Sequence, residues 1–359
     1  MKIPAIVLSS HVIGLGVIRA LGSNGVPVIA VYYEKNDMGY TSRYVSEKIS
    51  APHPVKHEAQ FINLLKDCAA RFRGSLLIPA DDATLSTVSR HKRLLENYYT
   101  VACTEWGITK RFIDKKYTYA LAEAIGVPAP KTIVPASMED VEKYGRDIQY
   151  PCLVKPCQSH LYFQLFKKKM MQVENLSQMR EAYKEAVNAG VDVLLQELIP
   201  GDDTQGVNYN SYFWDGEPLA EFMAEKVRLS PPKFGVPRVV ISKDIPEIIE
   251  PGRKIIRALG YYGYSCTEFK RDIRDGVYKF MEVNGRHNRS GILSTHCAMN
   301  FPWIEYNHLI RGKLPMVNIY RKNIYWIDEF NDAAHSAKYW KEERYSLSQY
   351  IKPYIKPHV

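Results

Sequence analysis

The stretch YKFMEVNGRHNRSG, Tyr278 to Gly291, decides how the rest of the chain is read. It begins as a β-strand. It then places Glu282, Asn284, Arg286, His287 and Arg289 within eight residues. The preceding segment, YSCTEFKRDIRDGV, has a strand pattern of its own and ends on the turn signal Asp275-Gly276, so the two form a hairpin. That hairpin can close in two ways. A two-residue turn pairs Arg274 with Val277, sets Glu268 opposite Val283 and sends Glu282 to the other face. A three-residue loop with Gly276 left-handed pairs Ile273 with Val277 and sets Glu268 directly opposite Glu282. Carboxylates about 5 Å apart across a sheet repel each other. A divalent cation reverses the sign of that interaction. Magnesium takes hard oxygens, commonly one or two carboxylates completed by phosphate oxygens and water. Asn284 shares the face and adds an amide oxygen. Arg286 continues along it towards whatever the metal holds. Each glutamate alone also reads as a solvent-facing residue of an edge hairpin; the four residues together point to a metal and phosphate site.

Composition bounds the alternatives. The chain has 359 residues, 46% of them hydrophobic, enough for two or three compact units. No apolar run approaches the roughly 20 residues of a membrane helix. The opening MKIPAIVLSSHVIGLGVIRALG carries a basic residue and apolar stretches, but His11 and Arg19 interrupt it, which favours a strand, turn and helix over a signal peptide. Six scattered cysteines with no CxxC read as reduced thiols of a cytoplasmic protein, and offer no zinc site. The net charge of +9 suits anionic ligands such as nucleotides and acidic metabolites. No nucleic-acid-binding motif accompanies it.

Along the chain, PAIVLSS, HVIGLGVIRALGSNG and VPVIAVYY read as β-α-β. Gly14 and Gly16 lack the third glycine of a dinucleotide fingerprint and fit a tight strand-to-helix turn. The alternation continues to about residue 105, which defines a first α/β domain. Asp81 and Asp82 follow a strand end, as ligand contacts or as helix caps. Residues 106–200 read as a second unit. It contains YPCLVKP, a strand with Lys155 near its end, and a strand KKKMMQVEN. An amphipathic helix opened by Ser177 follows, and VDVLLQELIPG runs into a hinge. Residues 201–320 are strand-rich, with Asp215-Gly216 as a hairpin turn. Residues 321–359 read as a peripheral helix and tail with no assigned chemistry.

A glutamate on one strand followed by E-[IV]-N-x-R on the next resembles the metal-binding end of the ATP-grasp superfamily. DKKYTYALAEAIGVPAPKT, CLVKP and LLQELIPG fall in that family's order. GLGVIRALGSNGVPV, SRY, YGYSCTEFKRDIRDG and SGILSTHCAMNFP are similar to the D-aspartate-ligase-like carboxylate–amine ligases. The resemblance covers roughly residues 1 to 315. It implies an α/β chain, α+β in its C-terminal half: a Rossmann-like pre-ATP-grasp domain, then a two-lobed ATP-grasp fold. It further implies ATP and one or two magnesium ions, with manganese able to substitute. Lys115 and Lys155 would contact the phosphates. Gln196, Glu197, Leu198 and Ile199 would line the adenine slot, and Asp203 or Asp202 would hold the ribose. Glu268, Glu282 and Asn284 would hold metal, and Arg286 would stabilise the acyl-phosphate and its tetrahedral successor. Lys226 and Arg228 would face the triphosphate or the acid, and Arg289 would clamp a substrate carboxylate. His287 reads as a general base or as a turn-packing residue.

Two features depart from the family pattern. The phosphate-covering loop is CQSHLYFQLFKKK, without glycine, so cover would come from Gln158, Ser159, His160 or a lysine, chiefly Lys169. EVNGR has glycine where proline is usual. The expected activity is ligation of a small-molecule acid to an amine, with no nucleic-acid partner and no membrane insertion, in a chain compatible with a homodimer. An acid–thiol ligase, a carboxylase-type enzyme or a non-catalytic nucleotide-binding protein are the competing expectations.

Overall fold

The segment Ala5–Leu8 is apolar at every position, and all four side chains are buried. Such a run needs cover on both faces, which a parallel sheet flanked by helices supplies. The computed structural model describes residues 2–34, 36–157, 170–315, 319–343 and 345–359. The first sheet is parallel, with β1 (Ala5–Leu8), β2 (Val28–Tyr32), β3 (Val45–Ser50), β4 (Leu76–Pro79) and β5 (Thr100–Val101) in the order β3-β2-β1-β4-β5. Successive β1 side chains enter opposite cores, as the period of two requires. Ile6 and Leu8 pack with Phe61 and Leu65, and Ala5 and Val7 pack with Ile18, Leu21 and Tyr306. Tyr306 belongs to the helix Phe301–Arg311, and its hydroxyl donates to the Ile3 carbonyl at 2.6 Å. A helix from late in the chain therefore closes one face of the first sheet. Gly14 and Gly16 lie inside the helix Val12–Gly22 and not in the strand-to-helix turn expected for them; Gly14 packs tightly against the Ser9 carbonyl, and Gly16 faces open space.

The second sheet is antiparallel. It contains β6 (Thr132–Ile133), β7 (Cys152–Pro156), β8 (Met171–Val173) and β9 (Val193–Glu197), in the order β6-β9-β7-β8. Helices Met138–Asp147 and Leu176–Asn188 cover one face through Val141, Tyr144, Met179 and Ala182. The second of these helices is capped by Asn175, whose side chain accepts from the Gln178 N–H, two residues before the expected Ser177. Gln158, Ser159, His160 and Lys169, the residues expected to cover phosphates, lie outside the described residues.

The third sheet is also antiparallel. It runs β14-β13-β10-β11-β12-β15, from β10 (Gly206–Trp214), β11 (Glu217–Ser230), β12 (Val236–Ser242), β13 (Gly263–Arg271), β14 (Tyr278–Asn284) and β15 (Tyr325–Ile327). Asp215 and Gly216, at φ 49° and 78°, form the two-residue turn between β10 and β11, as the sequence predicts.

The C-terminal residues are not the peripheral tail expected. β15 extends the third sheet by pairing with β12. The helix Glu329–Glu343 then carries Asp332, which is completely buried, into a double ion pair. Arg228 contacts both Asp332 oxygens, at 2.9 and 2.7 Å, and Arg238 lies 3.4 Å from Oδ1. Tyr354, on the last helix Leu347–Ile355, donates to the same carboxylate at 2.6 Å. Removing one partner of a buried pair leaves the others uncompensated, at a cost of about 3–5 kcal/mol. Asp332→Ala should lower the unfolding free energy by about that amount in urea titrations. A loss below about 1 kcal/mol, the level of an exposed pair, would contradict the buried clamp.

Candidate active site

The hairpin of β13 and β14 does not close in either expected way. Arg271 pairs with Tyr278, and the Asp272 N–H donates to the Val277 carbonyl, leaving a four-residue loop, Ile273 to Gly276. Gly276 occupies the left-handed region at φ 74°, and the Asp272 carboxylate accepts from the Arg274 N–H at 3.0 Å to brace the turn. This register would misalign the glutamates by one residue. A β-bulge restores them: the pairing shifts between Glu268 and Phe269, Met281 is the extra residue, and Glu268 faces Glu282. The expected juxtaposition is present, through a different device.

Asn284 completes this face. Its Nδ2 lies 3.4 Å from one oxygen of each glutamate. Two lysines meet the carboxylates from other elements. Lys115, at the start of the helix Lys115–Ala124, reaches Glu282 at 3.0 Å, and Lys226 of β11 pairs with Glu268. Burial lowers the pKa of both lysines, but the facing carboxylates outweigh it and the net shift is upward. For Glu282, burial pushes upward, while Lys115 and Lys155 pull harder, and its carboxyl titrates well below the usual range.

Arg286 follows on the same edge. Its guanidinium meets both Asp82 oxygens, at 2.8 and 3.1 Å, and donates to Asn284 Oδ1 at 3.1 Å and the His287 carbonyl at 3.2 Å. Asp81 is the helix cap, accepting from the Thr84 N–H at 2.7 Å, so the two aspartates divide the roles the sequence left open. Gly285 explains the missing proline, since a Cβ there would overlap the Phe112 ring. His287 is a packing residue. It is buried, stacks on Tyr264 at 4.2 Å and meets Glu305 at 3.3 Å, so it stands behind the wall. Arg289 reaches the wall and forms an ion pair with Asp328.

These groups line one cavity of about 860 Å³. His11 and Asp82 come from the first sheet's end, Lys155, Leu198 and Ile199 from the second, and Lys226, Glu268, Glu282, Asn284 and Arg286 from the third. Lys155 Nζ donates to Gln196 Oε1 at 3.0 Å. Of the four residues expected at the adenine slot, Leu198 and Ile199 are on the wall. The Gln196 side chain braces Lys155 from behind, and the Glu197 carboxylate is taken by the Lys131 N–H at 3.1 Å and by Arg274. Asp202 and Asp203 both reach the wall. The Asp203 carboxylate accepts from the Leu229 and Lys233 N–H groups at 2.9 and 2.7 Å, which ties it to the β11–β12 connection.

Arg228 is a correction. The resemblance implies that it faces the triphosphate or the acid, but β11 has register shifts on both sides of Arg228, and the side chain turns away to Asp332. Two polar cavity residues escaped the sequence reading. Lys270 donates to the Ile199 and Gly201 carbonyls at 2.9 and 3.0 Å and anchors the hinge after β9; its place two residues from Glu268 was the available signal. Asn208 sits opposite Glu268 on β10, with a buried Oδ1 that has no partner among the described residues. Its signal was a polar position inside an apolar strand.

The donor set suits a hard divalent cation. Glu268, Glu282 and Asn284 converge, and the orphaned Asn208 oxygen adjoins them. Among the described residues no group of three His, Cys, Asp or Glu converges, so a bound ion would draw its remaining oxygens from a ligand or water.

A parallel α/β sheet followed by two antiparallel sheets around this cavity is the ATP-grasp fold. The comparisons agree. The chain is 25% identical over 242 residues to a D-aspartate ligase of Enterococcus faecium, a match spanning 63% of this chain and only 56% of that enzyme. An L-amino acid ligase from Bacillus licheniformis superposes with a TM-score of 0.66 at 17% identity, over 87% of this chain and 74% of the other. The biotin carboxylase domain of Hydrogenobacter thermophilus 2-oxoglutarate carboxylase, solved with MgADP and bicarbonate, gives 0.70 at 19% identity, over 90% and 73%. No protein-family profile matches the sequence. No helix among the described residues is long and apolar enough to cross a membrane.

A carboxylate with a folded pKa below its unfolded value adds stability above the unfolded value and loses it as the pH falls. The Glu282 contribution is therefore complete above its ordinary value of 4.5 and declines below it. Urea unfolding between about pH 5 and pH 3 should show a steeper loss for the wild type than for Glu282→Gln. Parallel curves would contradict the depressed value.

Proposed function

We propose that the protein is an ATP-dependent, ADP-forming ligase that joins a carboxylic acid to an amine. The observation that carries this reading is the Glu268–Glu282 pair with Asn284 and Arg286 on one cavity edge, ringed by Lys115, Lys155 and Lys226. The D-aspartate ligase relationship supports the amide-forming direction. In this reading residues 1–105 form a pre-ATP-grasp domain, 106–200 and 201–320 the two lobes that enclose the nucleotide, and 321–359 a C-terminal clamp.

The chemistry follows from the charges. An oxygen of the substrate carboxylate attacks the γ-phosphorus, and the bond to ADP breaks. The amine nitrogen then attacks the acyl carbon, phosphate leaves, and the nitrogen loses a proton. Lys115 and Lys155 bind phosphate oxygens. Leu198 and Ile199 give the base an apolar slot, and Asp203 or Asp202 receives the ribose. Lys169 is proposed to cover the phosphates. Glu268, Glu282 and Asn284 would hold magnesium, which would supply charge neutralisation at the phosphates. Arg286 stabilises the oxygen charge that develops at the acyl carbon, a role worth about 10²–10³ in rate for one well-placed donor. Arg289, beside it, clamps the acid. No protein nucleophile is needed, because positioning alone lowers such barriers by about 7–11 kcal/mol.

Mixing the protein with ATP, magnesium and a panel of acids and amines should release ADP only when a matching pair and the metal are present. Glu282→Ala should reduce that release at least about a hundredfold. Unchanged release in this variant would remove the metal assignment. Release with a thiol in place of the amine would assign the acid–thiol class instead. Arg289→Lys, which loses the bidentate fork, should raise KM for the acid more than it lowers kcat. Equal loss in kcat and kcat/KM would place Arg289 on the reacting oxygens.

A further inference from the structure

A second cavity, of about 670 Å³, lies between the β5 edge of the first sheet and the β10–β11 turn of the third. Five aromatic residues line it: Tyr99, Tyr212, Trp214, Tyr261 and Tyr262. Each tyrosine hydroxyl is already engaged. Tyr99 donates to the Leu65 carbonyl at 2.5 Å, Tyr261 to the Tyr264 carbonyl at 2.6 Å and Tyr262 to Glu105 at 3.0 Å, and Tyr212 meets His308 at 2.9 Å. The tyrosine rings therefore offer the cavity mainly carbon and π density.

The charges in the cavity wall lean the other way from the whole chain. Lys92 and Arg257 are its cations, against the carboxylates of Glu96, Asp215 and Glu305. Both cations are neutralised in place: Lys92 pairs with Glu96, and Arg257 meets Glu217 at 3.1 Å and the Gly216 carbonyl at 2.9 Å. Glu305 differs. Its side chain is 4% exposed, and its Oε2 meets His287. Its Oε1 makes no hydrogen bond among the described residues and borders the space beside Gly263, where a Cβ would lie 3.8 Å from that oxygen. An acceptor oxygen with no protein donor, on a side chain that is otherwise enclosed, is free to take a donor from a ligand in the cavity.

We propose that this second cavity binds a small organic ammonium, with its nitrogen on Glu305 Oε1 and its apolar part among the five rings. A carboxylate facing an aromatic enclosure is the pairing that recognises such a cation, since the ring faces also attract positive charge. The two wall cations are already paired with carboxylates of their own. Nothing in this inference requires turnover at the first cavity.

The test uses the full chain and phenethylammonium as the probe, with phenethyl alcohol as its neutral counterpart, followed by isothermal calorimetry. The ammonium should bind once and saturably, at least about tenfold more tightly than the alcohol. Glu305→Gln should remove that preference. Leu309→Trp, which fills the cavity while keeping the Glu305 carboxylate, should abolish binding and keeps the test decisive if the buried glutamine disturbs folding. Glu282→Gln should leave binding unchanged, because it alters only the first cavity. Equal affinity for ammonium and alcohol, undiminished binding in Leu309→Trp, loss of binding in Glu282→Gln, or no binding by the wild type at millimolar probe would each overturn the proposal.

Discussion

Two carboxylates facing each other across a β-ladder are the constraint around which this molecule is arranged. Glu268 and Glu282 repel each other, and the pairing of β13 with β14 holds their Cα atoms opposite one another. The protein meets the repulsion with one lysine on each carboxylate, drawn from different elements. Lys226 crosses from β11, two strands away, and Lys115 arrives from a helix outside the sheet. The Lys115 N–H also bonds to the Cys157 carbonyl at 3.1 Å, which ties that helix to the end of β7. The charge pair thus joins the second and third sheets. It is also exchangeable. A ligand that brings its own cation and its own anionic oxygens can take the carboxylates and the lysines separately, with no net charge left stranded.

Arg286 extends the same logic to the first sheet. Its bidentate contact with Asp82 crosses from the third sheet's edge to the helix after β4. Asp82 is half exposed, so this pair lies at the cavity mouth and not in the core. Exposed pairs contribute little to stability. The contact is better understood as orientation: with Asn284 Oδ1 and the His287 carbonyl it fixes the guanidinium plane before any substrate arrives.

Much of this was legible in the sequence because it rests on local rules. The β-α-β opening, the Asp215-Gly216 turn and the shared face of Glu282 and Asn284 follow from period and turn chemistry. What escaped has two physical causes. Bulges are the first. One at Met281 repairs the glutamate register after a turn one residue longer than expected, and the irregularity around Arg228 turns that residue out of the cavity. An added residue reverses every later side chain, yet it has no compositional signature. Distance along the chain is the second. Asp82 lies 204 residues from Arg286, and Asp332 lies 104 from Arg228, and neither partnership leaves a local trace.

The C-terminal segment shows what such remote partners accomplish. Asp328 follows β15 directly and meets Arg289 on the cavity wall. Asp332 lies one helical turn later, and its N–H bonds to the Asp328 carbonyl at 2.7 Å. Residues four apart on a helix share a face. One face therefore reads two arginines, Arg289 on the cavity wall and Arg228 beneath β11. Rotating the helix to suit one would lose the other, so its orientation is set by both. Burial of Asp332 makes that setting stiff, and Asp328 passes it to the cavity. A tail that looks featureless in sequence is in this way a brace behind the site, held by the charge that β11 turned away from it.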